Sequence, residues 1–403
     1  MANVFANTQL VTYESLYLLQ PNLVLAGELN NDYTKEFGVA GNKVGSSINI
    51  RLPQQFNGRT GTSVNLEGIT DRTIPLTLTT QFGVDFEVTS ADLKLSVDDV
   101  RTRYIDKAMV TIANRINRDC ATVIALTCPN VVGTPGTPIA TEDVVRQATV
   151  LLDENDTPID DKRNLMINSR MEQSILSATK VQFNDQEELG KQYRLGRMGK
   201  ALGYNWYMSQ ATPRVVTGTR GGGTPVVSGA NQTGTTLTLS GLSAGATINA
   251  GDHLTILGVY MVENISHIAT PGLQQFVNMT TKAADGGGNV QLTISPAILP
   301  TGQYQNVTNA PADGAAITWI GPTNTAYSEG IAFHRDSYTI AYARLDEPTD
   351  AESSTTTTDP KSGVSIRAVR FYNGMTDQFI YRFDCLYGIA PLYPQTAVLL
   401  ASN

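Results

Sequence analysis

The chain has 403 residues, a formal net charge of −8 and 41% hydrophobic residues, which allows two or three domains and is too apolar for general disorder. Lysine and arginine are scattered rather than gathered in a basic stripe, and this excludes a protein built to grip DNA or RNA tightly. No window reaches the roughly 18 apolar residues of a membrane span. The N-terminus lacks the pattern of a secretory signal, so we expect a protein without a membrane segment that is made in a cytosol.

Two stretches with strand periodicity flank a polar segment early in the chain. "SSINIRLP" alternates Ile48 and Ile50 with polar residues, and "TIPLTLTTQFGVDFEVT" continues the alternation. The intervening residues are rich in glycine and have no core-forming pattern. A two-stranded flap is marginal in water by itself. We therefore expect either a disordered tip or support from another subunit.

The strongest single element is a long helix predicted over residues 97–127. Apolar side chains recur in steps of three or four from Val97 to Ile124. Ser96 is a suitable N-cap, and Pro129 prevents further helix. About 30 residues at 1.5 Å each span on the order of 45 Å, which is longer than a compact domain requires. The apolar stripe predicts packing against a sheet.

Helical and strand patterns alternate after the long helix. They predict a helix ending near Glu154, a buried strand in "RNLMINS", a short helix after Ser169, a surface loop over residues 180–200 and a strand in "ALGYNWYMSQATP". "IAFHRDSYTIAYARLDEP" resumes the pattern later. These parts indicate an α/β domain.

The composition changes between residues 215 and 322, where charge nearly disappears and Gly, Thr, Asn and Val dominate. Six short strands are predicted there, in "GTTLTLSGL", "GDHLTIL", "GVYMVE", "QQFVNMTTKAA", "GGGNVQLTISPAI" and "AAITWIG". Short strands at this spacing are typical of a small β-barrel or sandwich. We interpret the region as an independently folding insert.

The last part of the chain predicts a polar loop followed by a hairpin. "TDAESSTTTTDPKSG" has the composition of a loop. Asn373 and Gly374 lie between two alternating apolar runs, which is the best hairpin signal in the chain. The sheet that contains this hairpin is expected to close against the long helix.

The residues that would carry chemistry are few. Cys120, Cys128 and Cys385 form no CxxC pair and are expected to be buried, reduced thiols. The three histidines match no metal motif, "GTRGGGTP" lacks the ending of a phosphate-binding loop, and no GxSxG is present. The carboxylate pairs are adjacent in sequence and so point apart. We predict no enzyme, and no catalytic, cofactor or metal site.

The order of these parts, an N-terminal arm, a flap, a long helix, an α/β domain, a β-insert and a returning hairpin, resembles the major capsid (coat) proteins of tailed bacteriophages, which have the Hong Kong 97 fold. It is similar above all to the coat type of the Salmonella short-tailed phages, whose α/β domain carries a β-barrel insertion. By residues the similarity is closest over 251–297, including "GDHLTILGVYMVENIS" and "NVQLTISPAI".

The resemblance implies an α+β, Hong Kong 97-like capsid fold with a long spine helix, an extended E-loop, an axial α/β domain and an inserted small β-barrel. The implied division is an N-terminal arm at 1–43, an E-loop at 44–78, a peripheral domain at 79–135 and 346–403, an axial domain at 136–213 and 327–345, and the insertion domain at 214–326.

The resemblance also implies partners and a site. Many copies would form an icosahedral shell, assembled in the host bacterial cytoplasm with a scaffolding protein and carrying a portal protein at one vertex. The shell would enclose double-stranded DNA without binding it specifically. Contacts between subunits would involve charged residues in or beside the E-loop: Arg51, Arg59, Glu67, Asp71 and Arg72. The shell is expected to be non-covalent, because no lysine lies between Lys43 and Lys94.

Three alternatives remain open at this stage. The Thr- and Gly-rich segment 215–322 favours a phage tail or fibre component, or a carbohydrate-binding β-protein, whereas the long helix disfavours both. An enzyme with an accessory β-domain is the second alternative. A cargo-enclosing bacterial compartment shell shares the capsid fold but lacks the insert.

Overall fold

The computed structural model describes residues 15–16, 19, 22–37, 47–56, 61–62, 66, 68, 71–89, 104–179, 200–359 and 363–403. The chain divides into two compact units, one formed by residues 1–51, 73–120 and 338–392 and the other by 52–72, 121–337 and 393–403. The predicted surface loop over residues 180–199 and the first part of the long helix, residues 97–103, lie outside the described residues.

The helices in the described ranges are α1 Thr34–Phe37, α2 Asp106–Thr127, α3 Asp143–Glu154 and α4 Ser169–Thr179. The strands up to the insert are β1 Ser47–Leu52, β2 Arg72–Thr77, β3 Thr80–Thr89, β4 Asn130–Gly133, β5 Arg163–Ile167, β6 Lys200–Ala201, β7 Tyr204–Met208 and β8 Arg214–Val216. Those of the insert are β9 Val226–Val227, β10 Gly234–Ser240, β11 Thr247–Ile248, β12 His253–Val262, β13 Ala269–Asn278, β14 Lys282–Ala283, β15 Val290–Ile298 and β16 Ile317–Trp319. The remaining strands are β17 Ala326–His334, β18 Tyr338–Ala343, β19 Ser353–Thr358, β20 Ser365–Asn373, β21 Gln378–Pro391 and β22 Ala397–Ser402.

The first unit is built on a five-stranded sheet with the order β18-β21-β20-β19, in which β3 also pairs with β21. The predicted hairpin is confirmed, because Asn373 pairs with Gln378 across the turn between β20 and β21. Within this unit α2 packs on the sheet, as expected. The ring of Tyr104 stacks on Phe86, and the hydroxyl of Tyr387 donates to Asp119 Oδ2 at 2.6 Å.

A buried asparagine on α2 holds the segment near residue 25. Asn117 Oδ1 accepts hydrogen bonds from the backbone N–H groups of Leu25 and Ala26, at 3.1 and 3.2 Å. Its Nδ2 donates to the carbonyl of Asn22 at 2.7 Å. The side-chain amide of Asn117 thus makes three hydrogen bonds to the backbone of residues 22–26. Together they fix this segment in a single position relative to α2.

One prediction in this unit is wrong. The segment predicted as a polar loop contains β19, whose residues pair with β20 from Ser353↔Arg370 to Thr358↔Ser365. Threonine is β-branched and favours strands. Thr356 and Thr357 are buried, and Thr356 Oγ1 donates to the carbonyl of Leu345 at 3.0 Å. The polar composition of this segment led to the wrong prediction of a loop, whereas the segment forms the edge strand β19.

The second unit contains a seven-stranded mixed sheet with the order β4-β22-β17-β5-β7-β6, and β8 also pairs with β17. The predicted helices α3 and α4 and the predicted strands β5 and β7 are confirmed. Buried side chains of both helices form one core cluster with the sheet, including Val145, Leu152, Met171, Ile175, Leu165, Ala332 and Leu400.

The insert leaves this sheet after β8 and returns to it at β17. Its strands have the order β16-β12-β13-β15-β10-β9. Hydrogen bonds connect the ends of this order, from Val227 N to the Ala315 carbonyl at 2.9 Å and from Ile317 N to the Pro225 carbonyl at 3.0 Å. A cluster of buried apolar residues fills the interior, including Leu237, Leu239, Leu254, Ile256, Phe276, Leu292 and Ile294.

The strand pattern of the insert was predicted well, with one correction. "GDHLTIL" and "GVYMVE" are not two strands but the single strand β12. Its pairing with β13 shifts register between Thr255 and Tyr260. Gly258, in that interval, has φ +84°, a conformation that glycine adopts without strain. The glycine that suggested a break in the sequence marks an irregularity within a continuous strand.

Candidate functional site

The candidate site is the segment between β1 and β2, and its base is anchored by apolar residues. The two strands pair with each other. Ile50 and Leu76 are buried at 3% and 0% exposure, while most of their neighbours along each strand are exposed or half-buried. This is the alternation that the sequence predicted, and it fixes the position at which the segment leaves the fold.

Residues 53–71, here called the ribbon, leave apolar surface in solvent. Phe56 is 63% exposed and Leu66 is 89% exposed. A Cβ built at Gly68 would have no heavy atom within 4 Å, so there is open space on that side of the backbone. Single exposed apolar residues are normal on a protein surface. Two of them on one short, mostly polar segment favour an interaction surface.

The charged residues predicted for this site have different surroundings. Arg51 lies exposed on β1. Asp71 is exposed and accepts a hydrogen bond from Gln54 Nε2 at 3.3 Å. The guanidinium carbon of Arg72 lies 4.5 Å from the ring centroid of Tyr304 in the same chain. The structure thus brings Arg72 to an aromatic ring of the insert. Arg59 and Glu67 lie outside the described residues.

Sequence reasoning missed the apolar part of the site. It selected charged residues in or beside the ribbon and passed over Phe56 and Leu66, although the ribbon has few apolar residues. Their small number was a usable signal, because so few apolar residues cannot form a core within the ribbon itself. The contact of Arg72 with Tyr304 spans more than two hundred residues, and no local pattern could have indicated it.

Two other hairpin tips also expose large apolar side chains. Tyr372 and Met375, beside the turn between β20 and β21, are 51% and 98% exposed. The Tyr372 hydroxyl donates to Asp377 at 3.0 Å, and this hydrogen bond to a carboxylate raises the pKa of Tyr372. Ile265 and Ile268, between β12 and β13, are 75% and 64% exposed. Apolar contact surface is therefore present in both units.

The cysteine side chains, which could in principle support catalysis, lie buried in the interior of the fold. Cys120, Cys128 and Cys385 are buried, and burial raises the pKa of each thiol, to about 12 for Cys385. A thiol of this kind is inert, because the thiolate is the reactive form. Within the described ranges, no group of three or more His, Cys, Asp and Glu residues is arranged to hold a metal ion. None of the described helices is long and apolar enough to cross a membrane.

The fold is similar to that of structures from viral particles. A solved structure of Mycobacterium phage Che8 aligns with 12% identity, 94% coverage of this chain, 90% of that chain and a TM-score of 0.50. The capsid of the cyanophage P-SCSP1u aligns with 12% identity, coverages of 89% and 84% and a TM-score of 0.42. A virus-like particle from Pyrococcus furiosus aligns with 10% identity, coverages of 97% and 98% and a TM-score of 0.43. The likeness to the Che8 structure shows that the two chains share a fold.

The family follows from the sequence itself. The profile of the family described as "P22 coat protein - gene protein 5" matches residues 1–400. A comparison with curated protein sequences gives no match. The chain belongs to the P22 coat protein family. It is thus a major capsid protein of a tailed bacteriophage and a structural component of the virion, in a family of structural proteins rather than enzymes.

Proposed function

We propose that copies of this chain assemble into an icosahedral shell around the double-stranded DNA genome, with the ribbon as a contact between subunits. The detailed architecture would be that of the Hong Kong 97 fold in its Salmonella short-tailed phage form. In it, residues 44–78 form the E-loop and residues 214–326 form the inserted barrel. The hydrogen bonds that join β9 to the segment before β16 support the closed form of that insert.

The observation that carries this proposal is the exposed apolar surface of the ribbon. Phe56 and Leu66 stay largely in solvent although the base of the same segment is buried. Burial of a Leu or Phe side chain contributes about 1.5–3 kcal/mol. A neighbouring subunit that covered both residues would supply this energy at every contact of a shell. Exposed charged pairs involving Arg51, Arg59, Glu67, Asp71 and Arg72 would add about 0–1 kcal/mol each, and would fix orientation more than strength.

The proposal includes three further partners, which the resemblance to phage coat proteins implies. A scaffolding protein would guide assembly in the host bacterial cytoplasm, a portal protein would occupy one vertex, and the DNA would be enclosed without specific binding. The net charge of −8 supports the last point, because a strongly basic surface would hold the genome tightly.

Leu66→Asp tests the proposal, with Leu66→Met as its matched control. Leu66 is 89% exposed, so Leu66→Asp should leave the unfolding midpoint of the isolated chain unchanged. It should abolish closed shells in negative-stain electron microscopy of the chain expressed with its scaffolding protein. Leu66→Met keeps the apolar surface and should give normal shells. Deletion of residues 55–70 should behave like Leu66→Asp. Normal shells from both Leu66→Asp and the deletion would refute the assigned role of the ribbon.

A further inference from the structure

The contact between Arg72 and Tyr304 joins the ribbon to the insert. Arg72 is the first residue of β2, directly after the ribbon, and its guanidinium carbon lies 4.5 Å from the centroid of the Tyr304 ring. A guanidinium within about 6 Å of an aromatic centroid is attracted by the electrons of the ring. Residues 52–72 and the insert belong to the same compact unit. The contact therefore connects two parts of one unit that are distant in sequence.

Tyr304 lies in a loop of the insert whose backbone is fixed by hydrogen bonds. The loop follows β15 and re-enters the core of the insert at Val307, which is 0% exposed. The side chain of Asn306 accepts a hydrogen bond from Leu299 N at 3.0 Å and donates to the Ala297 carbonyl at 2.7 Å. One amide thus ties the end of the loop to its beginning. The Tyr304 ring is carried by a preformed support.

The other partner of the contact belongs to the base of the ribbon. Asp71, next to Arg72, accepts a hydrogen bond from Gln54 Nε2 at 3.3 Å, and this bond links the two limbs of the ribbon. β1 and β2, which lead into and out of the ribbon, pair with each other. Whatever holds Arg72 therefore holds both limbs of the ribbon at their base.

We propose that Tyr304 is a positioning residue for the ribbon: its ring holds Arg72 and thereby keeps the ribbon in one orientation relative to the insert. A two-stranded ribbon is marginal in water by itself, so a contact from outside is needed to keep its direction. A surface that is already oriented loses less entropy on binding than a surface that moves. This consequence for assembly rests on the proposed function of the ribbon, whereas the orientation itself is a property of the single chain.

Electron paramagnetic resonance of the full, unassembled chain measures this orientation. Thr62, in the ribbon, and Thr236, on β10, are both exposed, so Thr62→Cys and Thr236→Cys can carry nitroxide labels, whereas the three native cysteines are buried. The distance between the two labels should have one main population. Arg72→Gln or Tyr304→Leu should lower the ratio of this population to all others about two- to fivefold, which corresponds to the usual strength of an exposed cation–π contact.

Three further variants separate the contact from general damage. Tyr304→Phe keeps the aromatic ring and should leave the ratio unchanged. Arg51→Gln removes an exposed arginine from β1, the other strand at the base of the ribbon, and should also leave it unchanged. Arg72→Gln combined with Tyr304→Leu should lower the ratio no further than either change alone, because both remove the same contact. Equal ratios in the wild type and in Arg72→Gln, or additive losses in the double variant, would overturn the proposal.

Assembly experiments distinguish a failure of this proposal from a failure of the proposed function. Tyr304→Leu is the variant to use, because Arg72 is itself a predicted contact between subunits. It should raise the chain concentration needed for closed shells at least about twofold, and a higher concentration should restore normal shells. Leu66→Asp should abolish shells at every concentration and leave the label distances unchanged.

The two readouts fail independently of each other. Normal shells from Leu66→Asp, together with a lowered label ratio in Tyr304→Leu, would refute the function of the ribbon and leave its positioning intact. Loss of shells in Leu66→Asp, together with an unchanged label ratio in Tyr304→Leu, would overturn the positioning role alone. An unchanged concentration for shell formation in Tyr304→Leu would overturn the consequence for assembly.

Discussion

The buried ion pair between Arg220 and Asp252 gives the sharpest prediction about folding. Asp252→Asn keeps the shape of the side chain and removes its charge, which leaves the buried guanidinium of Arg220 without a counter-ion. Breaking a buried pair by removing one partner costs about 3–5 kcal/mol. Asp252 also accepts hydrogen bonds from the backbone N–H groups of Asn249, at 2.7 Å, and Gly218, at 3.1 Å, so poor accommodation of the amide would add to the loss.

The expected loss of at least about 3 kcal/mol corresponds to a fall in Tm of roughly 6–12 °C for a domain of about 150–250 residues. Urea unfolding followed by tryptophan fluorescence measures it well. The chain has two tryptophans, and the ring of Trp319 lies 5.2 Å from the guanidinium carbon of Arg220. The fluorescence of Trp319 therefore reports on the surroundings of this ion pair.

Two further variants separate charge from general damage. The double variant Arg220→Met with Asp252→Leu removes both charges and should be more stable than Asp252→Asn, because no unpaired charge stays buried. Arg146→Gln breaks the pair with Glu142, in which Arg146 is 60% exposed, and should cost only about 0–1 kcal/mol. An Asp252→Asn variant as stable as Arg146→Gln, or a double variant less stable than Asp252→Asn, would refute the reasoning.

Two predictions concern the first unit. Asn117→Ala removes three hydrogen bonds to the backbone near residue 25 and should cost about 1–3 kcal/mol, with faster amide exchange at Leu25 and Ala26; unchanged exchange there would contradict the assigned contact. Gly388→Ala would place a Cβ 2.2 Å from the Thr77 carbonyl oxygen and should lower the Tm measurably. Gly374→Ala, where the Cβ would only touch Tyr372 at 3.7 Å, is its control, and equal Tm values for the two variants would show that β2 and β21 can separate at little cost.

The sequence predicted the elements whose periodicity comes from a single buried face. The stripe on α2 is one example, and it is buried from Ala108 to Ile124. The strands of the insert are another, because their alternating residues fill one interior. In both cases the hydrophobic effect acts on local patterns, and local patterns are what a sequence displays.

Partnerships between distant segments were not visible in the same way. β22 lies between β17 and β4, antiparallel to one and parallel to the other. All six of its residues are buried, so its apolar run fits any central position of a sheet. Arg220 and Asp252 are likewise 32 residues apart in sequence, and no local pattern indicates that they form a buried pair.

The charged contact residues of the ribbon stay a prediction, and the exposed apolar residues beside them were not predicted for a physical reason. A charged residue on a polar segment is conspicuous in sequence, yet an exposed charge contributes little to association. Phe56 and Leu66 would contribute more, but the few apolar residues of the ribbon form no run long enough to predict a structural element. Their role depends on exposure, and exposure is a property of the folded chain.

The chain covers the Arg220–Asp252 ion pair completely but leaves the apolar side chains of the ribbon exposed. This difference indicates what kind of partner covers the ribbon. The chain buries the opposite charges of Arg220 and Asp252 completely and gives each of them several hydrogen bonds. A chain that can satisfy groups as demanding as these could also cover two apolar side chains, and covering them would be favourable. At the ribbon it instead leaves Phe56 and Leu66 exposed. For a member of the P22 coat protein family, the simplest source of a cover is another copy of the same chain.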